Sequence, residues 1–449
     1  MGLAHAPALQ AHETSRYALP SGQRGNQPGG DEGYPWEGTE MLNRAGLATV
    51  LAAGALAYAP LTAQAEDCGT IEIGAALSAT GIYASNGNNT KNGYEFAVKK
   101  INDAGGVKIG GKCYHFKIRY YDDESTPARA AQLVERLIDQ DKIQYILGPY
   151  SSPLAKAVLP VTEKYKTPIV QGEAASRSLF TQGYKYHFGI IATSEKYLAP
   201  IVDLAADRAK SAGKDPSTVK VAMIFQDDPF SLDVRSGVVD AIKKYKMTAV
   251  IDDRMPKDLN DITGFFTKVK ALKPDLLLIS GHEKGAVTAA REMAELKIEV
   301  PLVGMTHCEA GKLTQDFPKA SEGFVCPTQW DETMKAGDKM FGTAAEYNKE
   351  MQAAYKYKVV PYQTADASAT VYVWYDAFNR AQSLDKEKVR DALAQTDMKT
   401  FVGGIKFNPD GSNPVKEMAM RQIQGSKYKV VYPEHIAAAK LVYPREAQY

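Results

Sequence analysis

The sequence has no surplus of charge of either sign: 54 Lys and Arg stand against 53 Asp and Glu, a formal net charge of +1. A protein that holds nucleic acid or an anionic membrane through its overall field needs a clear basic excess, so that class is excluded as a leading reading. Low-complexity tracts are missing, and nothing repeats at a spacing of roughly 20 to 50 residues, which argues against solenoids and propellers. Catalytic signatures are missing as well. No G-x-G-x-x-G follows a strand-like run, and there is neither a G-x-S-x-G elbow nor an H-E-x-x-H pair. The stretch Gly106-Val-Lys-Ile-Gly-Gly-Lys112 imitates a phosphate loop, but Cys113 stands where a hydroxyl is needed. It also runs from helix to strand, the reverse of the order that aims backbone N–H groups at phosphate. It reads as a helix stop and a turn. Asp122-Asp123-Glu124 reads as a solvated turn at a strand end. The chain is not expected to be an enzyme, and no metal or cofactor is expected.

Long apolar runs are confined to one place. Arg44 is followed by the Ala/Leu/Val-rich stretch Ala45 to Leu61, then by Ala63-Gln64-Ala65 ahead of Glu66-Asp67. This is the layout of a secretory signal peptide over 41–65, cleaved after Ala65. The apolar stretch is short for a bilayer core of about 30 Å. Residues 1–40 are expected to be an upstream extension absent from the mature protein, which is then exported. Glu66-Asp67 before Cys68 do not form the small-residue box of a lipid anchor.

Cysteine is scarce: four residues, all beyond the expected cleavage point. An even count in an oxidising compartment points to disulfides, and four cysteines allow three pairings. Cys68 precedes the first strand and Cys113 the second, which would be neighbours in an open sheet. Cys308 and Cys326 both lie near late strands. The expected bridges are therefore Cys68–Cys113 and Cys308–Cys326. A zinc site using His282 or His307 would lack any paired C-x-x-C spacing.

Past residue 66 the pattern alternates strand and helix, which predicts an α/β protein with doubly wound parallel sheets. Strands are expected at 71–77, 115–121, 144–147 and 168–170, with helices at 94–101, 128–138 and up to about 165. The pattern restarts with helix 196–210. Strands follow at 219–225, 248–252, 275–279 and 301–304, with helices at 231–245, 262–271 and 283–296. Three helices at 341–356, 362–380 and 385–395 precede a hairpin over 402–411 and strands at 417–423 and 427–431. Late segments that return to both sheets imply a two-lobed cleft protein with crossings near Tyr186, Trp330 and 410–420.

Ligands in open parallel sheets bind beyond the carboxyl ends of the strands. Ser151 and Ser152 follow strand 144–147, where hydroxyls and free helix N–H groups suit a carboxylate. Ala174, Ala175 and Ser176 follow strand 168–170, and Tyr83 lies in the loop after the first strand. In the second half the corresponding places hold Asp228 and Phe230, then His282, then Thr306. These ten residues are the candidate ligand contacts.

The ordered set Ile73-Gly-Ala-Ala-Leu-Ser78, Gly81, Asn102-Asp-Ala-Gly-Gly106, Leu147-Gly-Pro149 and Glu173-Ala-Ala-Ser176 resembles the leucine/isoleucine/valine-binding protein family. Gly304-Met-Thr306 and Gly323 to Trp330 extend the resemblance across 66–449. These are periplasmic receptors of amino-acid ABC importers. The resemblance implies a type I periplasmic binding fold, with lobe 1 over 66–187 and 330–415 and lobe 2 over 188–329 and 416–449. It implies a monomer that seals a small carboxylate-bearing solute between closing lobes and delivers it to inner-membrane permease subunits. A branched-chain or other amino acid is the leading ligand, and an aromatic or aliphatic acid without an amine is the alternative. A sensor module that signals to a membrane partner is a further alternative.

The family's serine after the third strand falls on Ser151 or Ser152. Its small residue and threonine fall on Ala174 and Ser176, and two second-lobe aromatic positions fall on Phe230 and His282. The acid that neutralises the ligand ammonium falls on Thr306, a departure that matters because a buried ammonium needs an opposite charge. Either Asp228 or Glu309 substitutes, or the ligand has no amine.

Overall fold

The computed structural model describes residues 68–256, 258–309 and 313–445; the expected signal peptide and upstream extension lie outside the described residues. The alternating pattern builds a first sheet from β1 (Gly69–Leu77), β2 (Val107–Ile109), β3 (Lys112–Asp122), β4 (Ile146–Leu147), β5 (Ile169–Gln171) and β6 (His187–Gly189), connected through α1 (Ala84–Asp103), α2 (Pro127–Asp139) and α3 (Ser152–Lys164). The order is β2-β3-β1-β4-β5-β6, parallel throughout except for the β2–β3 hairpin. Helix α2 shows why these segments pack: Ala130, Val134, Leu137 and Ile138 form one buried stripe at helical spacing.

The chain then leaves the first sheet over 190–198. It continues through α4 (Ala199–Ser211), β7 (Lys220–Phe225), α5 (Pro229–Tyr245), β8 (Thr248–Arg254), α6 (Thr263–Leu272), β9 (Leu276–Ser280), α7 (His282–Leu296), β10 (Leu302–Met305), the short turns α8 (Leu313–Asp316) and α9 (Pro318–Ser321), and β11 (Val325–Thr328). It crosses back over 329–336. There follow a small ribbon of β12 (Gly337–Asp338) and β13 (Gly342–Thr343), helices α10 (Ala344–Tyr355), α11 (Tyr362–Ala381) and α12 (Lys386–Ala394), and the hairpin β14 (Asp397–Thr400) and β15 (Gly403–Lys406). A third crossing over 407–418 delivers β16 (Ala419–Gln424) and β17 (Lys427–Tyr432) to the second sheet, whose order is β17-β16-β11-β10-β9-β7-β8. Its two last strands are antiparallel and the others parallel. Residues Leu276 to Ile279 of β9 are all buried, the continuous apolar run that a parallel strand covered on both faces requires.

Helix α11 returns to the first lobe and packs on α1. The approach is close enough that a Cβ at Gly93 would stand 2.3 Å from the Thr364 carbonyl oxygen, so a side chain there would push the helices apart. Among the described residues no helix is long and apolar enough to cross a membrane.

The fold differs from the sequence reading where polarity masks periodicity. Helix α1 begins at Ala84, ten residues before the expected start. Its first turns bury Asn86, Gly87 and Thr90 rather than an apolar stripe. The segment expected to be only a stop and a turn contains edge strand β2, with Gly110 and Gly111 at positive φ in the turn to β3. The hairpin expected over 402–411 is formed instead by 397–406. Its turn closes at Phe401-Val402, where the Thr400 hydroxyl bonds the Gly403 carbonyl and receives the Val402 N–H. Helix α10 starts at Ala344 rather than 341, because Thr343 and Glu346 form a capping box.

Cys68 pairs with Cys113 and Cys308 with Cys326, the two expected bridges. They close sequence separations of 45 and 18 residues. Restricting the unfolded chain to that extent contributes about 4 and 3 kcal/mol on a chain-entropy estimate. Replacing Cys68 and Cys113 together by Ser is therefore expected to lower the urea midpoint clearly. An unchanged midpoint would mean that the bridge does not constrain the unfolded protein.

Candidate functional site

The carboxyl ends of the strands in the two sheets meet. From the first lobe, β4 ends at Leu147 and Gly148-Pro149-Tyr150 leads to Ser151, the N-cap of α3. Ser151 has the extended backbone of a cap, yet its hydroxyl caps no N–H. It is buried without a partner of normal geometry among the described residues, beside the Tyr83 phenol. An N-cap that does not cap leaves the Ser152 and Leu154 N–H groups at the start of a 13-residue helix without a side-chain cap, Pro153 between them having no N–H. Those groups and the helix dipole favour an anion.

Ser152 is engaged differently. Its oxygen accepts the Ser176 N–H at 3.1 Å and fastens the loop after β5. The Ser176 hydroxyl donates to Asp233 of α5 in the second lobe, and Asp233 also accepts the Ser178 N–H at 3.0 Å. Ser176 thus clasps one lobe to the other. The main chain of Ala174 is bonded both ways to the Gln171 amide, at 2.7 and 2.9 Å. The Ala175 carbonyl takes the Ser194 N–H at 2.7 Å.

From the second lobe, Asp228 caps α5. Its Oδ1 accepts the Phe230 and Ser231 N–H groups at 2.9 and 3.2 Å, and His282 Nε2 lies 3.4 Å away. Burial alone would raise the carboxyl's pKa; His282 and the capping groups outweigh it and hold it below the ordinary value. Its Oδ2 has no partner among the described residues, leaving a buried, ionised oxygen free. Thr306 is occupied within its own lobe, donating to Ser280, which in turn meets Ser231, each contact at 3.1 Å.

Aromatic side chains close the space. Tyr83 and Phe230 pack on His282 with ring centres 5.3 and 5.2 Å apart. Two residues that the sequence did not single out as ligand contacts complete the cluster. Tyr150 lies 5.7 Å from Tyr83, and His307 lies 5.4 Å from Phe230 and 5.1 Å from His282. The available signal was positional: His307 follows β10 as His282 follows β9, and both have left-handed backbones, with φ of 59° and 49°. Burial keeps the Tyr83 phenol protonated, with its pKa pushed up to about 12. Burial likewise raises the Glu173 carboxyl well above its usual range, with Asp366 adding to the effect. On the open side a crevice of about 500 Å³ separates Asn86 and Gln363 of the first lobe from Glu309 and Tyr428 of the second.

The profile of the periplasmic binding protein family matches residues 70–428. The chain belongs to that family. Periplasmic binding proteins bind solutes and are not enzymes, in line with the missing catalytic signatures. Among relatives, Leu/Ile/Val-binding protein homolog 8 of Brucella abortus (strain 2308) is 24% identical over 384 residues, spanning 83% of this chain and 92% of that one. Homolog 7 of Brucella suis biovar 1 is 25% identical over 403 residues, spanning 87% and 98%. Among solved structures, the branched-chain amino acid transporter substrate-binding protein LivJ of Streptococcus pneumoniae, in complex with isoleucine, superposes with a TM-score of 0.70 at 21% identity, over 84% of this chain and all of that one. A solute-binding protein of R. palustris in complex with benzoate gives 0.68 at 18% identity, over 85% and 98%. The shared architecture is the type I periplasmic binding fold, two parallel-sheet lobes with three hinge crossings.

In a periplasmic binding protein a bond between lobes acts on closure. Ser176→Ala removes the hydroxyl from Asp233 and leaves that carboxylate with the Ser178 N–H. Losing a hydrogen bond to a charged group is worth about 1.5 to 3 kcal/mol, so ligand affinity is expected to fall roughly tenfold to a hundredfold with the fold intact. Calorimetry reads this directly; unchanged affinity would mean that the clasp contributes nothing to the bound state.

Proposed function

We propose that this protein is the solute receptor of an ABC importer and closes on a small carboxylate-bearing ligand, an amino acid. The observation that carries this reading is Ser151, an N-cap whose hydroxyl has no partner of normal geometry and whose helix α3 starts with the Ser152 and Leu154 N–H groups uncapped. The ligand carboxylate sits there. Asp228 Oδ2 is the counter-charge for the ammonium, in place of the acid that Thr306 does not provide. Tyr83, Phe230 and His282 enclose an apolar or planar side group. Release from a signal peptide places the receptor in the periplasm, where it acts as a monomer and hands the ligand to permease subunits.

An aromatic or aliphatic acid without an amine is the second reading. It is favoured by Thr306, whose hydroxyl is spent on Ser280, and by a relative of the same fold in complex with benzoate. A thermal-shift screen of amino acids, benzoates and short-chain acids separates the two, because a ligand bound only by the folded protein raises its melting point. Shifts with amino acids and none with the matching acids support the first reading; the reverse selects the second. No shift with any carboxylate would overturn both.

A further inference from the structure

The crevice on the open side of the site holds two side chains that the proposed ligand contacts leave unused. Its first-lobe wall carries Asn86 of α1 and Gln363 of α11, and its second-lobe wall carries Glu309, two residues past His307. The Asn86 amide donates to the Tyr150 hydroxyl at 3.2 Å, and Tyr150 packs on Tyr83 and His282, so the crevice adjoins the aromatic cluster. Asn86 is thereby satisfied. Glu309 and Gln363 are not: both carboxyl oxygens of Glu309 and both polar atoms of the Gln363 amide lack a hydrogen bond of normal geometry among the described residues. The Glu309 side chain and Gln363 are each only 1% exposed.

Arg421 stands beside Glu309 without filling that need. Its Nη2 is 3.5 Å from Glu309 and its Nη1 3.7 Å from Asp331, both beyond the usual range of a hydrogen bond. One guanidinium therefore serves two carboxyl groups. Burial raises the Glu309 pKa and Arg421 opposes it; in either protonation state the carboxyl keeps an acceptor oxygen. The exposed Lys356 and Lys358 also line the crevice, so its charge alone selects no ligand. Its buried acceptors do. A site with unmet acceptors discriminates against ligands that bring no donor. Oxygens from both Glu309 and Gln363 suit a group with several protons, and a hydroxyl brings one where an amide or amine nitrogen brings two or three.

We propose that Glu309 and Gln363 are specificity-determining residues that bind a nitrogen donor, an amide or an amine, at the end of the ligand's side group. This rests on the proposed carboxylate ligand and adds a second polar group to it.

The test uses pairs of carboxylates matched in shape, one member of each ending in nitrogen: leucine and asparagine, methionine and glutamine, norleucine and lysine, 4-methylbenzoate and 4-aminobenzoate. Calorimetry should show the nitrogen-bearing member binding about tenfold or more tightly in the pair that fits. Glu309→Leu should erase that ratio, whereas a merely structural role would weaken both members alike. Glu309→Gln separates the two sources of the donor. It keeps an acceptor oxygen for an uncharged nitrogen and removes the charge that holds an ammonium, so the ratio survives in the first case and falls in the second. No preference in any pair that binds would mean that water meets these groups, and it overturns the assignment while leaving the proposed function standing. A preference that survives Glu309→Leu does the same. If no member of any pair binds, the carboxylate reading falls and this proposal falls with it. Should Glu309→Leu fail to fold, Gln363→Leu decides from the other lobe: the ratio should drop severalfold, and an unchanged ratio refutes the proposal.

Discussion

Ser151→Asp is expected to abolish ligand binding in a protein that still folds. Aspartate is as good an N-cap as serine, and at the start of α3 its charge complements the helix dipole. The fold therefore loses nothing that the serine hydroxyl supplied, since that hydroxyl caps no N–H. The ligand loses both its hydrogen-bond donor and its place, because a fixed carboxylate now occupies the anion position. Removing the donor alone, as in Ser151→Ala, accounts for about 1.5 to 3 kcal/mol. Like-charge repulsion in a buried site adds to that, so affinity should fall by more than about a hundredfold. Calorimetry and a melting curve on the same sample check both halves. Unchanged affinity would place the carboxylate elsewhere.

Lys416→Met is expected to produce the largest loss of stability. Lys416 lies on the third crossing and reaches into the first lobe, where its ammonium is 3.3 Å from Asp366 of α11 and donates to the Val402 carbonyl at 2.7 Å. Both side chains are shut off from solvent, at 1% and 0% exposure. Breaking a buried pair strands the remaining charge, at a cost of about 3 kcal/mol or more. The loss should depend on pH. Burial raises the Asp366 carboxyl to about 6 even with Lys416 opposing it, above an unfolded value near 3.9. The folded protein therefore binds the proton first as pH falls, and protonation relieves the stranded charge. Urea unfolding should show the deficit greatest near pH 8 and smaller near pH 5, and Asp366→Asn added to Lys416→Met should recover much of it. A loss that is the same at both pH values would mean that the methionine disturbs packing rather than charge.

How much of this was legible in the sequence follows from the range of each interaction. The strands β7 and β9 could be read because a parallel strand covered on both faces must be apolar along its whole length, and β3 because its side chains alternate. The start of α1 could not, since Asn86, Gly87 and Thr90 bury polar or small groups that leave no stripe. At the site, strand ends and helix caps are local features, and they brought Ser151, Asp228, Phe230 and His282 into view. Partners distant in the chain stayed hidden. Tyr150 and His307 meet across 157 positions, and Ser176 finds Asp233 across 57. Neither has a spacing rule, because each pairing exists only when two lobes built from separate segments are brought together.

The central claim is that the two lobes close on a small carboxylate ligand, and small-angle scattering tests it most directly. The protein is measured alone and saturated with the compound that gives the largest thermal shift. Closure about loop crossings of this kind draws the lobes together, so the account predicts a smaller radius of gyration in the saturated sample. The Ser151→Asp protein should keep the larger value at the same ligand concentration. A radius that stays unchanged at saturation in the wild-type protein would contradict the account.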